Sequence, residues 1–169
     1  GHPPLHVALD GPQVAVVKGH VGSARYSDRR PPAHGVVDAI ALPSGGDDEP
    51  VLVERLRDGG FALVSLVALG DDRIAGHILF SRIHVEGAGG TLDAVALAPV
   101  AVRPEAQGRG IGSELVRRGL EACRVLGERA VFVVGDPVWY ARFGFSSRLA
   151  RAFVCPWPGD AFQALELSP

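Results

Sequence analysis

One stretch of the chain holds residue types spaced for chemistry. Gln107-Gly108-Arg109-Gly110-Ile111-Gly112 follows a β-branched run that ends at Val102, and it opens a helical pattern. A turn of this kind leaves backbone N–H groups unpaired and pointing one way, where the helix dipole adds partial positive charge. Gly108, Gly110 and Gly112 let an oxyanion approach the main chain, and Arg109 adds a formal charge. The chemistry is anion binding, and a pyrophosphate suits it best.

The same residues admit two other readings. A plain strand-to-helix turn would need neither Gln107 nor Arg109. A dinucleotide turn reads Gly-x-Gly-x-x-Gly, whereas this one reads Gly-x-Gly-x-Gly and is lengthened by Pro104-Glu105-Ala106. On that second reading Asp136 would imitate a ribose-binding acid, and the chain would be a nicotinamide or flavin enzyme. Asp136 also suits the N-cap of a helix that Pro137 opens. His77 and His84 lie seven apart on one strand and so on opposite faces, and no histidine pair has zinc spacing. No metal is expected.

The turn must be held by the elements on either side. Leu92 to Val102 reads as a long strand before it. Gly110 to Leu126 reads as a helix with Ile111, Leu115, Gly119, Leu120, Cys123 and Leu126 on one face, ended by Gly127. Glu114 and Arg118, four apart, pair on its outer side. Ala130 to Val134 fits a buried strand parallel to the one before the turn. Val138 to Phe143 is a short helix, with Phe143 and Phe145 in the core. Upstream, Ala62 to Leu69 and Ile74 to Ile83 form a hairpin through Gly70-Asp71-Asp72, and Glu86 to Gly90 turns the chain again. Phe153 and Phe162 to Leu167 are closing strands. Before this region the pattern is weaker: a strand over 14–17, a short helix over 36–42, and a helix over 51–57 stopped by Gly59-Gly60.

Composition narrows the class. The 169 residues suit one α/β domain with a real core. A net charge of −2 leaves no basic footprint for nucleic acid and no polybasic membrane patch. No apolar run is long enough to span a bilayer, and no signal-peptide pattern is visible. Cys123 and Cys155 read as thiols in a reducing, cytoplasmic setting.

The glycine turn resembles the Gln/Arg-x-x-Gly-x-Gly/Ala signature of the GNAT N-acetyltransferases. Trp139-Tyr140-Ala141-Arg142-Phe143-Gly144-Phe145 resembles that family's downstream aromatic-Tyr-x-x-x-Gly-Phe element, one helix and one strand later. Leu97 to Val102 looks like its central strand. Gly135-Asp136-Pro137, Gly76-His77-Ile78 and Val53-Glu54-Arg55-Leu56 resemble a bacterial subgroup. The resemblance covers about residues 50–146.

It implies a single-domain acyl-CoA N-acyltransferase fold: a mixed, mostly antiparallel sheet flanked by helices and splayed between the strands at 92–102 and 130–134. It implies acetyl-CoA as acyl donor, its pantetheine along Val100, Ala101 and Val102. The pyrophosphate would rest on Gly108, Arg109, Gly110, Ile111, Gly112 and Ser113, with Gln107 leading the turn. Tyr140 would be the general acid that protonates the departing thiolate, and a packed aromatic is its plainer role. The acceptor would be a primary amine of a small molecule or peptide, attacking directly, with no nucleic acid or membrane partner. Paired edge strands leave a homodimer open.

The chain departs from the family pattern in two places. The strand position where many members carry a glutamate base falls at Ala96, which leaves Asp93, His84, His77 and Glu54 as alternatives. Residues 3–40 match the family's opening poorly. Both departures keep open a different expectation, a degenerate acetyl-CoA sensor or interaction module without catalysis.

Overall fold

The structure is a computed structural model that describes residues 14–15, 54–56, 58–70, 73–155 and 159–167. The expected helix over 36–42, most of that over 51–57 and the turn at 71–72 lie outside the described residues. The strands are β1 (Val14–Ala15), β2 (Ala62–Gly70), β3 (Arg73–Gly87), β4 (Gly90–Val102), β5 (Ala130–Val134) and β6 (Phe162–Glu166). The helices are α1 (Ile111–Val125), α2 (Pro137–Ala141) and α3 (Ser147–Ala150). Among the described residues the strands form one sheet in the order β1-β2-β3-β4-β5-β6.

Every neighbouring pair is antiparallel except β4 and β5, which α1 joins as a crossover. The parallel contact is brief: Val95 faces Val131 and Ala96 faces Phe132. Beyond it β4 continues to Val102 along β3, while β5 continues to Val134 along β6. The expected splay is therefore present, and Leu97 to Val102 has a strand partner on one side only among the described residues. β4 is also bulged there. Ile78 pairs with Val100 and Phe80 with Leu97, so β4 carries one extra residue beside the cis Ala98-Pro99 peptide. Pro99 has no N–H to give the ladder.

Strand alternation sends side chains to two cores. Val95 and Leu97 join Ile78, Phe80, Val131 and Val133 beneath α1. Ala94 and Ala96 join Ile83, Val85, Phe132 and Phe162 on the other face, where Ala150 of α3 packs. Phe132 meets Phe153 edge-on at 5.0 Å and stacks on Phe162 at 5.5 Å.

α1 buries Ile111, Leu115, Val116, Gly119, Leu120 and Cys123. Each fully buried aliphatic side chain among them contributes about 1.5–3 kcal/mol. Gly119 permits the closest approach: a Cβ there would lie 2.0 Å from Cε2 of Phe80. Leu126 departs from the expected stripe and is 45% exposed. The helix has already ended there, because the Gly127 N–H bonds to the Arg124 carbonyl and the Glu128 N–H to the Cys123 carbonyl. That is a Schellman closure, with Gly127 at φ 81°. The closing region also differs in part. Phe153 forms only an isolated bridge with Gly87, and α3 stands in a stretch where no helix was expected.

Candidate active site

The glycine turn lies where β4 leaves the sheet. A 3-10 turn over Pro104–Ala106 carries the chain out of β4. The Gln107 side chain then donates from Nε2 to the Val102 carbonyl at 2.9 Å and ties the turn back to the strand. Gly108 and Gly110 adopt φ values of 71° and 82°, a left-handed backbone that other residues rarely take. Gly110 is the N-cap of α1, and its carbonyl accepts from the Glu114 N–H at 3.0 Å.

Among the described residues, the amides from Gly108 to Ser113 have no backbone acceptor. Among the described residues, a Cβ on Gly108 or Gly110 would meet nothing within 4 Å. Arg109 is exposed and has no ion-pair partner among the described residues. Such an arrangement can hold an anion on main-chain N–H groups at the positive end of a helix.

The second element starts where β5 ends. Asp136 caps α2, its Oδ1 accepting from the Val138 N–H at 2.9 Å, with Pro137 in the first turn. This places Tyr140 inward. Its ring packs edge-on against Trp139 at 4.7 Å and Phe145 at 5.6 Å. Burial pushes the Tyr140 phenol up to about 12, because the anionic form loses hydration there. Its hydroxyl has no hydrogen-bond partner among the described residues, yet it is not sealed from solvent. A neutral phenol that reaches solvent from an apolar wall can donate a proton.

Arg142 joins the two elements. Its guanidinium donates to the Ser113 hydroxyl at 3.4 Å and to the Trp139 carbonyl at 3.1 Å, and it lies 5.1 Å from the Trp139 ring centre. The sequence reading missed this link. Its only signal is an arginine inside an aromatic run, and nothing local says which helix it reaches.

Residues 40–145 match the family profile described as Acetyltransferase (GNAT). The chain belongs to that family. It is 38% identical over 136 residues to the uncharacterized N-acetyltransferase YhbS of Escherichia coli K12, a match spanning 78% of this chain and 80% of the relative. The crystal structure of YhbS from Escherichia coli in complex with CoA is similar with a TM-score of 0.67 and 31% identity, over 96% of this chain and 86% of that one. A GNAT family acetyltransferase from Brucella melitensis in complex with acetyl-CoA is similar with a TM-score of 0.59 and 33% identity, over 81% of this chain and 80% of that one.

For a GNAT acetyltransferase, the alanine in the central strand raises the question of the base. Ala96 is buried in the core cluster with Phe132 and stands opposite Ser81. Asp93 lies three residues earlier and so on the other face of β4. It holds Nδ1 of His84 at 2.5 Å, directly across the ladder. This pair therefore lies on the α1 side, away from the face of Ala96. His77 stands opposite Ala101, near the splay, with Nε2 3.2 Å from the Ser65 hydroxyl. Glu54 is exposed on a short helical turn before β2. The structure thus gathers the glycine turn, Ser113 and the Tyr140 element at one end of the sheet. It leaves the candidate bases dispersed.

Proposed function

We propose that this GNAT enzyme moves the acetyl group of acetyl-CoA to a primary amine by direct attack. The observation that carries the reading is the run of amides from Gly108 to Ser113 without backbone acceptors among the described residues, opening beside a stretch of β4 that β5 has left. The diphosphate of acetyl-CoA would rest on those amides, assisted by Arg109. The pantetheine arm would lie along Val100, Ala101 and Val102, supplying the strand partner that β5 does not.

The amine nitrogen bonds to the thioester carbonyl carbon, and the resulting oxyanion is met by a main-chain N–H of β4. The C–S bond then breaks, and the thiolate takes the proton of the Tyr140 hydroxyl. The proton lost by the attacking nitrogen is relayed through water to the Tyr140 phenolate and restores the phenol. A phenol held near 12 remains protonated throughout the neutral range, as this role requires. Holding both reactants in line supplies much of the acceleration. The acceptor class is a small-molecule or peptide amine.

Thiol release from acetyl-CoA over an amine panel tests the reading, alongside calorimetric binding of acetyl-CoA. Tyr140→Phe is expected to lower kcat by about 100-fold, the scale of losing a general acid, with acetyl-CoA affinity unchanged. Intact turnover with weakened binding would contradict the role. A thermal shift with acetyl-CoA but no thiol release from any amine would favour a binding module instead.

A further inference from the structure

Two polar side chains lie fully inside the described chain, Ser81 and Gln163. Burying a carboxamide costs free energy unless its hydrogen bonds are made, so an amide in an apolar strand calls for a reason. Gln163 is 1% exposed and stands opposite Val133 on β6. Its Nε2 donates to the carbonyls of Gly135 and Ala161, each at 3.4 Å. The same Ala161 carbonyl accepts from the Gly135 N–H at 3.0 Å. The carboxamide therefore clasps β6 to the residue by which the chain leaves β5.

That residue is the one against which Tyr140 packs. A Cβ on Gly135 would lie 2.4 Å from Cε2 of Tyr140, so ring and backbone are in close contact. The next residue, Asp136, caps α2 through its side chain, and its carbonyl accepts from the Tyr140 N–H at 3.0 Å. The path from Gln163 to the phenol thus runs through two consecutive residues, both hydrogen-bonded. None of it passes through residues 108–113.

We propose that Gln163 is a positioning residue for Tyr140. Its carboxamide fixes the Gly135 peptide and, through it, the place of the Tyr140 ring. The inference rests on the acid role given to Tyr140 above and deepens it. A methionine at 163 would fill the same space but could not donate to either carbonyl. The glycine turn, held by its own backbone and by Gln107, would not feel the change.

The test is a double-mutant cycle of Gln163→Met and Tyr140→Phe in the full chain. It is read as kcat and KM by thiol release from acetyl-CoA, with the most active amine of the panel or, where none serves, with water as acceptor. Gln163→Met is expected to lower kcat about tenfold through misplacement of a reacting group and to leave the acetyl-CoA dissociation constant within about twofold. In the Tyr140→Phe background it is expected to change kcat no further, because the group it positions is gone. Independent, multiplying losses would overturn the proposal, and so would a Gln163→Met enzyme with wild-type kcat. A Tyr140→Phe enzyme with wild-type kcat is a separate failure: it removes the acid role itself, and the positioning role falls with it. Should Gln163→Met not fold, Gln163→Leu carries the same expectations and the same refutations.

Discussion

The glycine turn and the Tyr140 element use glycine for opposite reasons. At Gly108 and Gly110 the residue is needed for its backbone: φ is positive, and no described residue would crowd a side chain there. At Gly135 it is needed for its missing side chain, since the Tyr140 ring occupies the volume a Cβ would take. The first region is an open backbone conformation, on the proposed reading one that receives a ligand, and the second is close packing around a side chain. A site with both can separate binding from turnover, because damage to one need not reach the other. Arg142 is the exception, bridging Ser113 and the Trp139 carbonyl.

The largest expected effect on ligand binding breaks the open region. Gly110→Asp would place a carboxylate at a backbone φ of 82° in the mouth of the proposed anion site. Acetyl-CoA affinity by titration calorimetry should fall by about 100-fold, near 2.7 kcal/mol, through charge repulsion and lost main-chain contact. Unchanged affinity would remove the anion site altogether.

Gly135→Ala breaks the packed region. The new methyl forces the Tyr140 ring aside, which should cost about 1–3 kcal/mol of stability in denaturant titration. The same variant should lower kcat about tenfold and spare acetyl-CoA affinity. A variant with intact kcat would show that the place of the ring does not matter to turnover.

Alkaline pH probes the buried groups of α1 and α2. Burial raises the Cys123 thiol to about 12, with Glu128 adding to the rise, and burial raises Tyr140 to about 12 as well. Both groups stay neutral in the folded chain and ionise first in the unfolded one. Their contribution is therefore complete below the unfolded values of 9.0 and 10.0 and is lost as pH climbs towards about 12. Stability should decline in that window by about 1.4 kcal/mol per pH unit for each group. Cys123→Ala should lower stability at neutral pH yet make the alkaline decline shallower. An unchanged slope would mean that the thiol does not stay neutral in the core.

The smallest effect sharpens the contrast. A Cβ on Gly112 would meet Val102 Cγ2 at 3.5 Å and Trp139 Cζ2 at 3.6 Å, both ordinary contacts. Gly112→Ala should stabilise α1 by up to about 1 kcal/mol and shift acetyl-CoA affinity by less than about fivefold. A large loss of affinity would place a ligand atom against that Cα.

Features that depend on short windows of residues could be read before any fold was known. The turn after Val102, the cap at Asp136, the stop at Gly127 and the pairing of Glu114 with Arg118 at 2.6 Å all fall in this class. Turn chemistry, helical period and capping are properties of a few neighbouring residues, so the chain carries them wherever it goes. The family resemblance added the splay, which the brief β4–β5 ladder bears out.

Other features had no local signature. The bulge at Ala98-Pro99 depends on how β3 is registered against β4. The distance from Arg142 to Ser113 spans 29 residues, and that from Gln163 to Gly135 spans 28. The burial that raises Tyr140 is created by Trp139 and Phe145 only once α2 is seated. Backbone geometry is local, and so the glycine turn and the helix start at Gly110 were legible in the residues themselves. Side-chain environment is a sum over distant strands, and so the burial that raises the Tyr140 phenol was decided by packing.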